Sequence, residues 1–234
     1  MTFYKIYGSG VSPCYNQLKA LKMSVISQLD RLASAPTSLL TWYAKAGRLE
    51  FTGPVIYRWL AKTANYLNAE FGEDSGALIV FDLPQSWRTA FWVLGAQLAG
   101  SEVSFSLNDA SSADLVVTAS APTAADILAE QVGLPVLLQD MGPLALRWLG
   151  EPVAGAADAI AEINSQADGF LFPVSAGFQV AGAVLPEGAG PVFLTGGEAN
   201  YIELIWAAWS CGRRVVWVEP GLDAEGIRAQ ELAG

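Results

Sequence analysis

The sequence has 234 residues, 52% of them hydrophobic and only 15% charged, enough length and apolar content to bury a large core and to exclude a disordered chain. Its formal net charge of −10, with no dense Lys/Arg cluster to offset it locally, argues against nucleic acid and acidic membrane surfaces as partners. It contains no histidine, which removes Ser-His-Asp and Cys-His catalysis, histidine general bases and every histidine-containing metal site, so no metal is expected.

Residues 1–22, MTFYKIYGSGVSPCYNQLKALK, carry Lys5, Lys19 and Lys22 and no acid. They lack the apolar stretch of a secretory signal and read as a poorly ordered extension, with the fold beginning near Ser24. Cys14 and Cys211 lie far apart without CxxC spacing, which indicates neither a disulfide framework nor a zinc ribbon and leads us to expect a cytoplasmic protein. No apolar run reaches the roughly 18 residues that cross a bilayer, so a membrane is not an expected partner.

From residue 23 onward helices and strands alternate. Residues 25–33 read as a short helix, and LLTWYA and RLEFTG as a hairpin turning at Ala46 and Gly47. Pro54 opens the next helix, whose stripe of Ile56, Trp59, Leu60, Thr63, Ala64 and Leu67 ends at Gly72. GALIVFDL, residues 76–83, is a continuous apolar run of the kind found in strands covered on both faces. The helix at 85–99 is apolar on most of its surface, with Trp87, Phe91, Trp92, Leu94 and Leu98, and should pack deeply. Trp87 is expected in the core and Arg88 in solvent, the alternative being a stacked Arg or aromatic that meets a flat ligand. SEVSFSL and ADLVVTA read as strands, TAADILAEQVG as a helix closing at Gly133, and PVLLQD as a strand. Residues 156–166 read as a helix, PVFLTG as a strand, 199–210 as a helix and 214–218 as a strand, with a short helix after Gly221. Trp59, Trp87, Trp92, Trp206 and Trp209 all fall on helix stripes, where core filling is the expected use. The cadence predicts an α/β fold of mostly parallel sheets with helices on both faces, divided into subdomains at 23–145 and 146–234.

Chemistry-bearing positions are few. In VFLTGGEANYIEL, residues 192–204, a strand runs through Thr195, Gly196 and Gly197 into a helix, the order of a loop whose N–H groups cradle phosphate. No lysine follows, and Glu198 places a negative charge where the anion would sit, which favours a tight corner instead. In VSAGFQVAG, residues 174–182, Ser175, Ala176 and Gly177 could present N–H groups to an oxyanion, but no base is near in sequence. Asp82 ends a parallel strand at the edge where such sheets bind ligands, with a turn acceptor as the alternative. No catalytic residue is nominated.

The run PVIYRWLAKTANYLNAEFGEDSGALIVFDLPQSWRTAFWVLGAQLAGSEVSF resembles the N-terminal region of the adenylate-forming enzymes, which include acyl-CoA synthetases and luciferases. SSADLVVTAS is similar to their next strand, and FLTGGEANYIELIWAAWSCGRRVVWVEPG to a later strand, substrate loop, helix and strand. In length and layout the chain resembles a family of short AMP-synthetase-like proteins. The resemblance sets the 195–201 segment opposite the acyl-substrate pocket, which makes Thr195, Gly196, Gly197 and Tyr201 candidate contacts for the edge of an apolar or aromatic ligand. Ser175 and Gly177 become the counterpart of the phosphate loop T-S-G-T-T-G-x-P-K-G, here without the second Thr, the Pro or the Lys. The sequence also ends before the family's Tyr-Gly-x-Thr-Glu motif, its ribose-binding Asp and the mobile domain with its catalytic Lys. The resemblance thus implies ATP, AMP or acyl-CoA as ligands but leaves out the groups that hold Mg-ATP and stabilise phosphoryl transfer. The expectation is a degenerate adenylate-forming fold serving as a ligand- or partner-binding module, with no catalysis of its own. The alternatives are half of a split acyl-adenylating ligase that needs a second chain, and a purely structural homodimer.

Overall fold

Ser24 opens the first helix, α1 (Val25–Ser34), by accepting a hydrogen bond on its hydroxyl from the Ser27 N–H, the usual role of a serine N-cap. The structure, a computed structural model, describes residues 24–180 and 182–233; the predicted extension at 1–22 lies outside them. Strands β1 (Ser38–Ala44) and β2 (Gly47–Thr52) form the expected antiparallel hairpin. Helix α2 (Gly53–Phe71) follows with Pro54 in its first turn and buries Ile56, Leu60, Ala64 and Leu67 as one stripe.

The central sheet has five parallel strands in the order β4-β3-β5-β6-β7: β3 (Leu78–Asp82), β4 (Glu102–Ser104), β5 (Leu115–Thr118), β6 (Val136–Leu138) and β7 (Ala156–Asp158). Because alternate side chains point to opposite faces, Ile79, Phe81, Leu115, Val117 and Leu137 enter the main core. Val80, Val116, Val136 and Leu138 meet Ala124 and Ile127 of α4 (Ala121–Glu130) on the other side. Both faces are covered, which is why β3 reads as an unbroken apolar run.

A second sheet, ordered β2-β1-β9-β8, joins the hairpin to β8 (Val192–Leu194) and β9 (Val215–Val218). Leu40, Trp42, Val215 and Trp217 face the same main core as the central sheet. Helix α3 (Trp87–Leu98) lies within that shared core with every residue but Gln97 buried. Helix α6 (Tyr201–Ser210) packs on β8, β9 and α3. The terminal helix α7 (Ala224–Ala233) is pinned to the second sheet at Glu231, whose carboxylate accepts from Tyr43 at 2.5 Å and pairs with Arg214 at 2.6 Å and Arg48 at 3.2 Å.

Four findings depart from the sequence reading. The predicted helix at 156–166 begins as strand β7, because Ala156 and Ala157 pair with Val136 and Leu137. Asp158 then caps a shorter helix, α5 (Ala159–Asn164), by accepting from Ile160 and Ala161. The border between the sheets does not fall at 145/146: β1, the hairpin partner of β2, pairs with β9 from the far end of the chain, and β7 completes the central sheet. Cys211 is engaged in a disulfide instead of carrying an unconnected thiol; Cys14 lies outside the described residues. Arg88, expected in solvent, is buried. The tryptophans do fill the core: Trp87, Trp92, Trp206 and Trp209 are buried and Trp59 is half-buried against them.

Candidate ligand site

The chain turns sharply after β8. Gly196 has φ +77°, and a Cβ there would stand 2.7 Å from the Pro220 ring, so both the conformation and the space call for glycine. The loop's donors converge on one anion, the carboxylate of Glu198. It accepts from the Thr195 N–H at 2.9 Å and hydroxyl at 3.0 Å, from Gly196 N–H at 3.0 Å and from Gly197 N–H at 3.1 Å. Burial works against the ionised carboxylate, but the Thr195 and Gly197 backbone donors and the Thr195 hydroxyl outweigh it and hold the Glu198 pKa below its usual value. Tyr201 is only 4% exposed, its ring 5.2 Å from that of Trp217, and burial raises its pKa. It belongs to the core beneath the loop.

The second glycine loop lies at the other end of α3. Ser175 donates its N–H to Leu98 O and uses its hydroxyl to accept from Gly177 N–H at 3.1 Å, beside an open groove of about 490 Å³ with Gln97, Gly100 and Phe178. The 195–198 loop instead touches the segment before α3, where Gln85 donates to Glu198 O at 3.2 Å. Twelve helical residues separate the two loops, roughly 18 Å along the axis, so the fold does not bring Thr195, Gly196 and Gly197 together with Ser175 and Gly177. Asp82 ends β3 and accepts from the Thr118 hydroxyl at 2.6 Å, which ties β3 to β5.

The arrangement that sequence reasoning missed is centred on Arg88. A cavity of about 240 Å³ opens where the carboxyl edge of the central sheet meets the hairpin, walled by Phe51, Val55, Trp59, Trp87, Leu144 and Leu146 with Arg88 at its base. Arg88 is 4% exposed. Its Nη2 donates to Gly142 O at 3.0 Å and Ala145 O at 2.9 Å, and its Nε to Gly142 O at 3.3 Å. The guanidinium carbon lies 4.3 Å from the Trp87 ring centroid and 5.8 Å from that of Trp59. Burial depresses the Arg88 pKa to about 10, against the opposing pull of the Asp140 charge, so the group is cationic at neutral pH.

A much smaller cavity of about 10 Å³ shares Trp59, Trp87 and Arg88 with the first and is bordered also by Thr63, Trp92 and Gln139. Trp92 Nε1 donates to Gln139 Oε1 at 2.8 Å. Thr63 Oγ1, Trp87 Nε1 and Arg88 Nη1 are buried without a hydrogen-bond partner among the described residues. Unmade hydrogen bonds of this kind are costly and concentrate at sites that await a ligand or water. The sequence signal for the site was the adjacent Trp87-Arg88 pair after a parallel strand; the carbonyls that bury Arg88 come from a loop more than fifty positions away. Among the described residues no group of His, Cys, Asp or Glu could hold a metal, and no helix is long and apolar enough to cross a membrane.

No family model matches the chain, and no curated protein matches it. Solved structures do. The amide bond synthetase McbA from Marinactinospora thermotolerans is similar at 16% identity and a TM-score of 0.56, over 90% of this chain and 47% of its own. The Brucella canis acyl-CoA synthetase is similar at 17% identity and 0.58, over 92% and 49%. The coronafacic acid ligase from Pectobacterium brasiliense is similar at 11% identity and 0.59, over 88% and 47%. The chain therefore spans about half the length of the structures it matches, and its parallel sheets and flanking helices have the fold of part of an adenylate-forming enzyme.

Proposed function

We propose that this chain is a small-ligand-binding module on part of an adenylate-forming fold, with no adenylation activity of its own. The observation that carries this function is the apolar cavity beside Arg88, a walled space at the carboxyl edge of a parallel sheet with a buried cation among its lining residues. Support for the lack of turnover comes from the glycine loops. Glu198 already occupies the donors of Thr195, Gly196 and Gly197, and Ser175, the counterpart of the phosphate loop by resemblance, is turned onto Gly177. Neither loop offers a triphosphate the convergent free donors or the lysine that phosphoryl transfer uses.

A thermal-shift panel tests the module, using Mg-ATP, AMP, CoA, acyl-AMP analogues and small aromatic compounds, alongside pyrophosphate exchange by the chain alone. Stabilisation by small apolar compounds without exchange is the expected result. Exchange by the isolated chain would overturn it. A second reading, half of a split ligase, is favoured by one observation: the chain aligns with 47 to 49% of the length of the synthetases and ligases it resembles. A pull-down that yields a second chain, with exchange appearing only in the complex, would select that reading.

A further inference from the structure

We propose that the exposed leucine loop at residues 142–149 is a docking surface for a second copy of this chain, packed across a two-fold axis with Arg147 of each copy against the partner's Glu50. Such a dimer goes beyond the binding module and needs no ligand in the cavity.

Leu144, Leu146 and Leu149 are 76%, 81% and 69% exposed, three large apolar side chains in water within six positions. Single exposed leucines need no explanation, but a group of them marks a contact surface. Leu144 and Leu146 line the same cavity as Phe51, Val55 and Trp59, so the apolar surface continues from the loop onto the hairpin and α2.

The loop is held firmly in this exposed arrangement. Asp140 accepts from Gly142 N–H at 2.8 Å and from Leu149 N–H at 3.1 Å, which fastens both ends of the loop to one carboxylate. Asp158 accepts from Trp148 N–H at 2.8 Å, and the buried Arg88 donates to the carbonyls of Gly142 and Ala145 at 3.0 and 2.9 Å. A backbone fixed in this way presents its leucines already ordered, which lowers the entropy cost of association.

Charge selects the occupant. Residues 141–150 contain no acid and a single charged residue, Arg147, which is exposed and forms no ion pair among the described residues. A chain with a net charge of −10 repels its own copies over most of its surface, so self-association needs a place where opposite charges meet. Glu50 supplies the opposite charge: it lines the same cavity as Leu146, and its side chain stays 45% exposed while paired with Arg48. An apolar patch bordered by one free cation and one accessible carboxylate is complementary to itself. Under a two-fold rotation leucines meet leucines, and the contact between Arg147 and the partner's Glu50 is made twice.

The patch is small, so the dimer should form only at high protein concentration. In sedimentation velocity of the intact chain, the average mass should rise from 24.8 kDa towards twice that value between about 1 µM and about 300 µM protein. Leu146→Ser combined with Leu149→Ser should weaken the dimer at least about tenfold, with the thermal midpoint of the parent retained because both side chains are exposed. Arg147→Glu and Glu50→Arg should each weaken it by about threefold to tenfold, and the double reversal should restore it. A monomer at every concentration would overturn the second copy as occupant and leave the leucines to a different partner. A dimer indifferent to the two leucine substitutions would use another face, and failure of the double reversal to recover what each single reversal lost would remove the two-fold pairing; either result overturns the assignment.

Discussion

Glu198 supplies from within the chain the anion that its loop is shaped to hold. Its four hydrogen bonds are short-range, all to Thr195, Gly196 and Gly197, so the arrangement was legible from the order of neighbouring residues. Truncation to alanine should cost about 1–2 kcal/mol, since charge-assisted bonds to backbone donors are lost in a half-exposed position. The emptied nest then becomes an anion site. Sulfate at matched ionic strength should raise the thermal midpoint of Glu198→Ala more than that of the parent; an equal rise in both would show that the donors had relaxed away. The sign with pH follows from the depressed pKa: the contribution of Glu198 is fully present above its ordinary pKa of 4.5 and is lost as pH falls through the lower folded value. Arg88 is the opposite case. Its identity and position were plain in the sequence, but its burial depends on carbonyls of the 142–145 loop, which no local pattern announces.

Helices were the most readable elements, because a 3.6-residue apolar stripe persists over several turns. What the stripes do not reveal is where two helices touch. At the crossing of α2 and α3, a Cβ on Gly95 would lie 2.5 Å from Thr63 Cβ, 2.6 Å from Thr63 Cγ2 and 3.3 Å from Leu60 O. Neither neighbour is the loose end of a flexible side chain, so the helices must separate to admit a methyl group. Gly95→Ala is therefore expected to lower stability by about 1–3 kcal/mol in urea denaturation, despite the better helix propensity of alanine. A neutral or stabilising result would mean that the helices pack less closely than described. The same crossing holds Thr63, whose buried hydroxyl lacks a hydrogen-bond partner among the described residues. Short strands were the least readable elements. β7 is three residues long and begins with two alanines, a composition that helical periodicity absorbs without contradiction; only its pairing with β6 makes it a strand.

Parallel sheets with helices on both faces could be anticipated from the alternation of elements, but strand order could not, because pairing joins segments that are remote in sequence. The hairpin near the start of the fold obtains its parallel partner β9, which in turn pairs with β8, only after the central sheet has been completed. Trp42 sits beside Trp217 in register, and Leu40 beside Val215. Without β9, the edge of β1 would expose its N–H and C=O groups, and Leu40 and Trp42, now buried, would lose their cover. The loss would spread, since the same core carries α3 and, through Trp92 packed at a tilt against Phe81, the central sheet. A fragment of residues 24–190 should therefore lack a cooperative transition. In the full chain, fluorescence from single-tryptophan variants retaining Trp42 or Trp92 should report one coincident urea midpoint, because one core links both sheets. Two separated midpoints, or a fragment that melts cooperatively with the parent's central-sheet midpoint, would show that the sheets fold independently and that the core between them is only an interface.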